Sequence, residues 1–114
     1  MKTLTICGSM RYAEQMKRIS FLLEVVHGFN ILQCVYDPEG YVIGDAEKQV
    51  LAAAHMKKID MSDGIYVVDI DGYIGNSVKA EIAYAQKSGK EVIYHTQFGC
   101  ASEQRSRASS PPPP

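Results

Sequence analysis

At 114 residues the chain has material for one domain with a single core and too little for two. Apolar residues at 46% and charged residues at 22% give the usual balance of a soluble globular protein. A formal net charge of −1 excludes a general nucleic-acid or membrane surface and leaves any anionic ligand to local geometry.

The first predicted element is a short strand, TLTIC (Thr3 to Cys7), ended by Gly8 and Ser9. A helix is expected from about Tyr12 to His27, because Met16, Ile19, Leu23 and Val26 recur on one face. Gly28 stops it. NILQCVY (Asn30 to Tyr36) reads as a second strand, and the Pro and Gly of DPEGYVIGD make a loop. Asp45 is placed to cap a second helix running to about Met61, past Val50, Ala54 and Lys57-Lys58. GIYVVDI (Gly64 to Ile70) is nearly continuous in apolar residues, as suits a central strand covered on both faces. A glycine-bearing loop and a third helix follow, closed by Ser88-Gly89, and EVIYH (Glu91 to His95) is a fourth strand. From about Ala101 the Ser, Arg and Pro content leaves nothing to bury, so 101–114 is expected to be a disordered tail after a single domain over 1–100.

This alternation predicts an α/β fold: a three-layer, flavodoxin-like or Rossmann-like parallel sheet, strand order about 2-1-3-4, with helices on both faces. Three cysteines without a Cys-x-x-Cys pair argue against a disulfide framework and against structural zinc. Cys7 and Cys34 lie in apolar runs and read as buried, inert thiols. The N-terminal segment lacks a signal-peptide pattern and no run approaches a membrane span, so a cytoplasmic protein is expected.

Ligands of open α/β sheets sit beyond the carboxyl ends of the strands, near the point where strand order reverses. That rule selects two loops. Gly8-Ser9-Met10-Arg11 joins a strand to a helix, where free N–H groups favour an anion and Arg11 can add a bidentate contact. Its plainer reading is a turn with Ser9 as the cap and Arg11 in solvent. The second loop carries Asp69 and Asp71, turns through Gly72 and Gly75, and offers Asn76 or Ser77 as a helix cap. At helical pitch Ile82 and Ala85 fall within about 40 degrees of Val78, so those residues pack. Ser77, Glu81 and Tyr84 form the adjoining strip, which brings Glu81 out beside the strand ends. There the helix dipole favours its ionised form. A solvated glutamate that merely complements the dipole is the alternative.

The segments ICGSMR, HMKKIDMSDGIYVVDIDGYIGNSVKAEIAYAQKSGK and VIYH, in that order over about residues 3 to 95, resemble the nucleoside 2-deoxyribosyltransferase-like family. They look closest to small bacterial and phage members with a GGYIGxS…EIxYA-type motif. The resemblance implies a Rossmann-like sheet and cleavage of the bond between a base and a (deoxy)ribose, by hydrolysis or by transfer. It implies a homodimer or larger homo-oligomer, a small nucleoside or nucleotide as ligand, and neither cofactor nor metal. A nucleic-acid polymer or a membrane is not an expected partner. The family's catalytic glutamate matches Glu81, whose carboxylate attacks the anomeric carbon to give a glycosyl-enzyme ester. Asp71, Asp69 or a tyrosine such as Tyr73 can then serve the departing base with a proton. Gly8, Ser9, Met10 and Arg11 match the segment near the sugar 5′ end, which holds phosphate in monophosphate-specific members. Gly72, Tyr73, Gly75, Asn76 and Ser77 match the loop before the glutamate.

Three departures stand out. Thr5 occupies the place of a strand tyrosine that orients the glutamate, and His55 falls where many members have a sugar-binding aspartate. Gly75-Asn76-Ser77 replaces the usual Ser/Asp-x-Gly. An alternative function follows from them: a nucleotide-binding or sensing module that kept the pocket and not the catalysis.

Overall fold

Alternating burial along two strands sets the layers. In the computed structural model, which describes residues 1–38 and 40–98, β1 (Thr3–Gly8) sends Leu4 and Ile6 to one face and Cys7 to the other. β3 (Gly64–Val68) divides Tyr66 and Val68 from Ile65 and Val67 in the same way. Both strands are buried on both sides, as a period-2 pattern of uniformly apolar residues requires. α1 (Ala13–Val25) covers the first face with Met16, Ile19 and Leu23. α2 (Asp45–Asp60) and α3 (Asn76–Lys87) cover the second with Ile59, Val78 and Ala85. With β2 (Asn30–Leu32) and β4 (Glu91–Tyr94), the result is a four-stranded parallel sheet in the order β2-β1-β3-β4. The Rossmann-like architecture expected from the alternation is therefore present. No helix among the described residues is long and apolar enough to cross a membrane.

The element ends differ from expectation in instructive ways. β2 stops at Leu32, four residues short of Tyr36. It is an edge strand that pairs with Thr3, Leu4 and Thr5 alone, and beyond Leu32 the chain leaves the sheet. A 3-10 turn, Met10–Tyr12, precedes α1, with Ser9 Oγ accepting from the Arg11 N–H at 3.3 Å. Val26, expected on the buried face, is 61% exposed beyond the helix end. Gly44 caps α2, its N–H donating to the Glu47 carboxylate at 2.8 Å, so Asp45 is the first helical residue. Gly75 caps α3, which places Asn76 and Ser77 inside the first turn. Val50 and Ala54 face solvent; the inner line of α2 runs through His55 and Ile59. His95 begins a new helical turn and does not extend β4. Cys100 and the tail expected to be disordered lie outside the described residues.

The reversal of strand order falls between β1 and β3, whose ends align through the pair Gly8 and Val68. The loops that follow these strands are therefore neighbours. Gly8 is needed there: a Cβ would stand 2.9 Å from Met16 Sδ and 3.2 Å from Val68 Cβ.

Candidate functional site

A cavity of about 500 Å³ opens at that reversal, within the usual size for a small-molecule site. Gly8, Ser9 and Met10 from the loop after β1 form one side of it. Tyr73, Gly75, Asn76 and Ser77 from the loop after β3 form another, and Glu81 reaches in from the second turn of α3. The rest of the wall belongs to the chain leaving β2, with Cys34, Val35 and Asp37, and to α2, with Lys48, Leu51, His55 and Lys58.

Glu81 is drawn inward. Its side chain is only 16% exposed, and Oε1 lies 3.4 Å from His55 Nε2. The same nitrogen lies 3.4 Å from Cys7 Sγ. Cys7 is buried at the end of β1; burial, then the Glu81 carboxylate beside it, push its thiol well above the ordinary value. It is a neutral S–H at physiological pH and not a nucleophile. His55 Nδ1 is buried without a hydrogen-bond partner among the described residues. The tautomer with its proton on Nε2 donates to Glu81 and leaves Nδ1 as a bare acceptor. Cys7, His55 and Glu81 thus bring a sulfur, a nitrogen and a carboxylate oxygen within 4.8 Å of one another. Among the described residues this is the group of three whose donor atoms could hold a metal ion.

Four of the candidate site residues, Arg11, Asp69, Asp71 and Gly72, stand apart from this cavity's lining. Asp69 is buried, but it accepts from the Thr96 N–H at 2.9 Å and from Thr96 Oγ1 at 2.8 Å. Its carboxylate ties the end of β3 to the segment after β4. Asp71 is exposed, with φ at 56°, and Gly72 follows with φ at 75°. Two successive left-handed residues turn the chain back so that Tyr73 comes over the cavity. Arg11 is exposed, its guanidinium 3.9 Å from the centroid of the Tyr73 ring. Tyr12 meets the same ring edge-on at 6.2 Å, and its hydroxyl donates to the Ile70 carbonyl at 3.3 Å. These contacts fasten one loop to the other. Thr5 is fully buried, and its hydroxyl is 2.6 Å from Ser62 Oγ.

On α2 sequence reasoning singled out His55 alone, and it missed Lys48, Leu51 and Lys58 as well as Cys7. The helical spacing of Lys48, Leu51, His55 and Lys58 was a signal for the wall, since it draws one stripe along α2. Nothing in the spacing of Cys7, His55 and Glu81 announces their meeting. No protein-family model matches the chain, and no curated protein or solved structure matches it either.

Proposed function

We propose that the protein cleaves the N-glycosidic bond of a nucleoside or nucleoside 5′-monophosphate, or transfers its (deoxy)ribosyl group, with Glu81 as the nucleophile. The observation that carries this reading is the position of the Glu81 carboxylate. It lies inside a cavity of sugar-plus-base size, between the two strand-end loops and against His55. The resemblance of the GYIGNSVKAEIAYA segment to deoxyribosyltransferase-like proteins adds to it.

In this reading a Glu81 oxygen attacks the anomeric carbon as the bond to the base nitrogen breaks. The base leaves with the bonding electron pair and takes up a proton. Tyr73 lines the cavity, whereas Asp69 is spent on Thr96 and Asp71 faces away, so the phenol is the better placed donor. Water or a second base then opens the glycosyl ester, which splits one hard displacement into two easier ones. Nε2–H of His55 takes over the orienting task that Thr5 cannot perform, since Thr5 is turned to Ser62. Val35, Ile43 and Leu51 offer an apolar wall for the face of a base. Ser9 and the backbone beside it serve a 5′-phosphate; Arg11 reaches it only by leaving the Tyr73 ring. The exposed apolar side chains Val35, Val42 and Val50 support a homo-oligomer, and the free thiols of Cys7 and Cys34 fit a cytoplasmic setting.

Incubating the chain with a panel of nucleosides and monophosphates, and separating any released base by chromatography, tests the reading. Base release is expected, and Glu81→Gln is expected to lower it by about 10³-fold or more, as loss of a nucleophile does elsewhere. Full activity in Glu81→Gln removes the mechanism. The buried, redirected Thr5 favours one second reading, the binding or sensing module. A ligand-dependent rise in melting temperature without base release selects it.

A further inference from the structure

We infer that Cys7, His55 and Glu81 form a site for one zinc-class divalent cation at the floor of the cavity. The donors come from three different elements, β1, α2 and α3, and all three are held in place by packing. Two of their three separations are those of a coordination shell. With zinc–sulfur near 2.3 Å and zinc–nitrogen and zinc–oxygen near 2.0 Å, tetrahedral angles put sulfur about 3.5 Å from nitrogen and nitrogen about 3.3 Å from oxygen. The corresponding separations here are 3.4 Å for Cys7 Sγ to His55 Nε2 and 3.4 Å for His55 Nε2 to Glu81 Oε1. The third separation, from Cys7 Sγ to the Glu81 carboxylate, is within 4.8 Å, against about 3.5 Å in such a shell, so an ion closes the shell by drawing the Glu81 side chain toward the sulfur.

The donor types choose the metal. A thiolate and an imidazole beside one carboxylate suit zinc and its neighbours, and are a poor match for magnesium or calcium. Three protein donors leave a fourth position, as at zinc centres that keep one site open, and two of the three, His55 and Glu81, line the cavity. Binding sends the Cys7 thiol proton to solvent and moves the His55 ring proton from Nε2 to Nδ1, which frees the Nε2 lone pair for the ion. The thiolate and the carboxylate then balance the two positive charges, with His55 as a neutral ligand. Among the described residues no other group of three such donors meets in this way.

Ion binding does not depend on the glycosidase reading, but its consequence for activity does. An ion on Glu81 holds the lone pair that the displacement needs, so in that reading zinc is an inhibitor and the ion-free chain is the active form.

The experiment uses the tag-free, full-length chain stripped with chelator, then titrated with cobalt(II) as the spectroscopic probe and with zinc(II) as competitor. Uptake of one ion per chain is expected, with a thiolate-to-cobalt charge-transfer band that zinc abolishes and excess magnesium leaves unchanged. The double variant Cys34→Ser, Cys100→Ser keeps the band, and Cys7→Ser loses it. His55→Ala and Glu81→Gln each weaken binding by about 100-fold or more, since even outer-shell changes cost 10–100-fold at metal sites. Should Cys7→Ser fail to fold, those two variants decide alone. No band in the parent chain, a band that survives Cys7→Ser, or unchanged affinity in His55→Ala overturns the site. Cobalt uptake without base release in the ion-free chain keeps the site and removes the glycosidase reading; base release without cobalt uptake does the reverse.

Discussion

Glu81 is the sixth residue of α3, one turn beyond the reach of the N-terminal dipole expected to act on it. Its chemistry is set by what touches it: an imidazole nitrogen and, past it, a thiol. That thiol has a measurable signature in stability. The folded chain holds the Cys7 proton above the ordinary thiol value near 9, and the unfolded chain releases it there. The stabilisation is complete below about pH 9 and is lost as pH rises beyond it, at up to about 1.4 kcal/mol per pH unit for one proton. Cys34 and Tyr36, both raised chiefly by burial, add to the same alkaline limb. Cys7→Ser keeps the space and removes the ionisation. Urea midpoints of the chelator-treated protein between pH 8 and 11 are expected to fall less steeply in the variant, by one proton's share. Equal slopes in the two proteins refute the assignment. At this scale the sequence was legible in part. Glu81 stood out through its place beside the packed face of α3, and His55 through a resemblance alone. Cys7 was read as an inert core thiol, because contacts between positions 7, 55 and 81 arise only once three elements have packed.

Elements follow the same division. α1 and α3 were readable because their apolar residues keep a stripe against the sheet, and β3 because its run is apolar throughout. α2 was found as a helix, but not the face it turns inward. That face is shared between core and cavity, so a histidine and two lysines interrupt the apolar period. β2 was drawn too long for a related reason: its apolar continuation walls the cavity in place of extending the sheet. One glycine in β3 gives the element-scale prediction. A Cβ on Gly64 stands 2.6 Å from the Glu91 carbonyl oxygen, a backbone atom of β4 that cannot swing aside. Gly64→Ala gains roughly 0.4–1 kcal/mol through the unfolded chain. Forcing apart two paired strands costs about 1–3 kcal/mol, so the clash wins. A lower urea midpoint in Gly64→Ala is expected, and an unchanged or higher one shows that the strands yield at no cost.

For the molecule as a whole, the strand order was legible because few topologies satisfy alternating elements, right-handed crossovers and a central strand buried on both faces. How the cavity is closed from outside was not, because one chain does not supply the answer. The segment between β2 and α2, with the start of α2, leaves Val35, Tyr41, Val42 and Val50 exposed, Val42 at 90%. Val35 lines the cavity itself, so whatever covers this apolar rim also narrows the mouth of the site. A second copy of the chain is the proposed cover. Burying these side chains yields about 25 cal/mol for each Å² removed from water, while a charge carried into such an interface without a partner costs several times one residue's gain. The double variant Val42→Glu, Val50→Glu is therefore expected to sediment as a monomer where the parent chain sediments as a dimer or larger assembly. Both positions are solvent-facing within the single chain, so its melting temperature at low concentration stays close to the parent's monomer value. A parent chain that is monomeric at all accessible concentrations, or an assembly indifferent to both glutamates, shows that the rim is not an interface between copies.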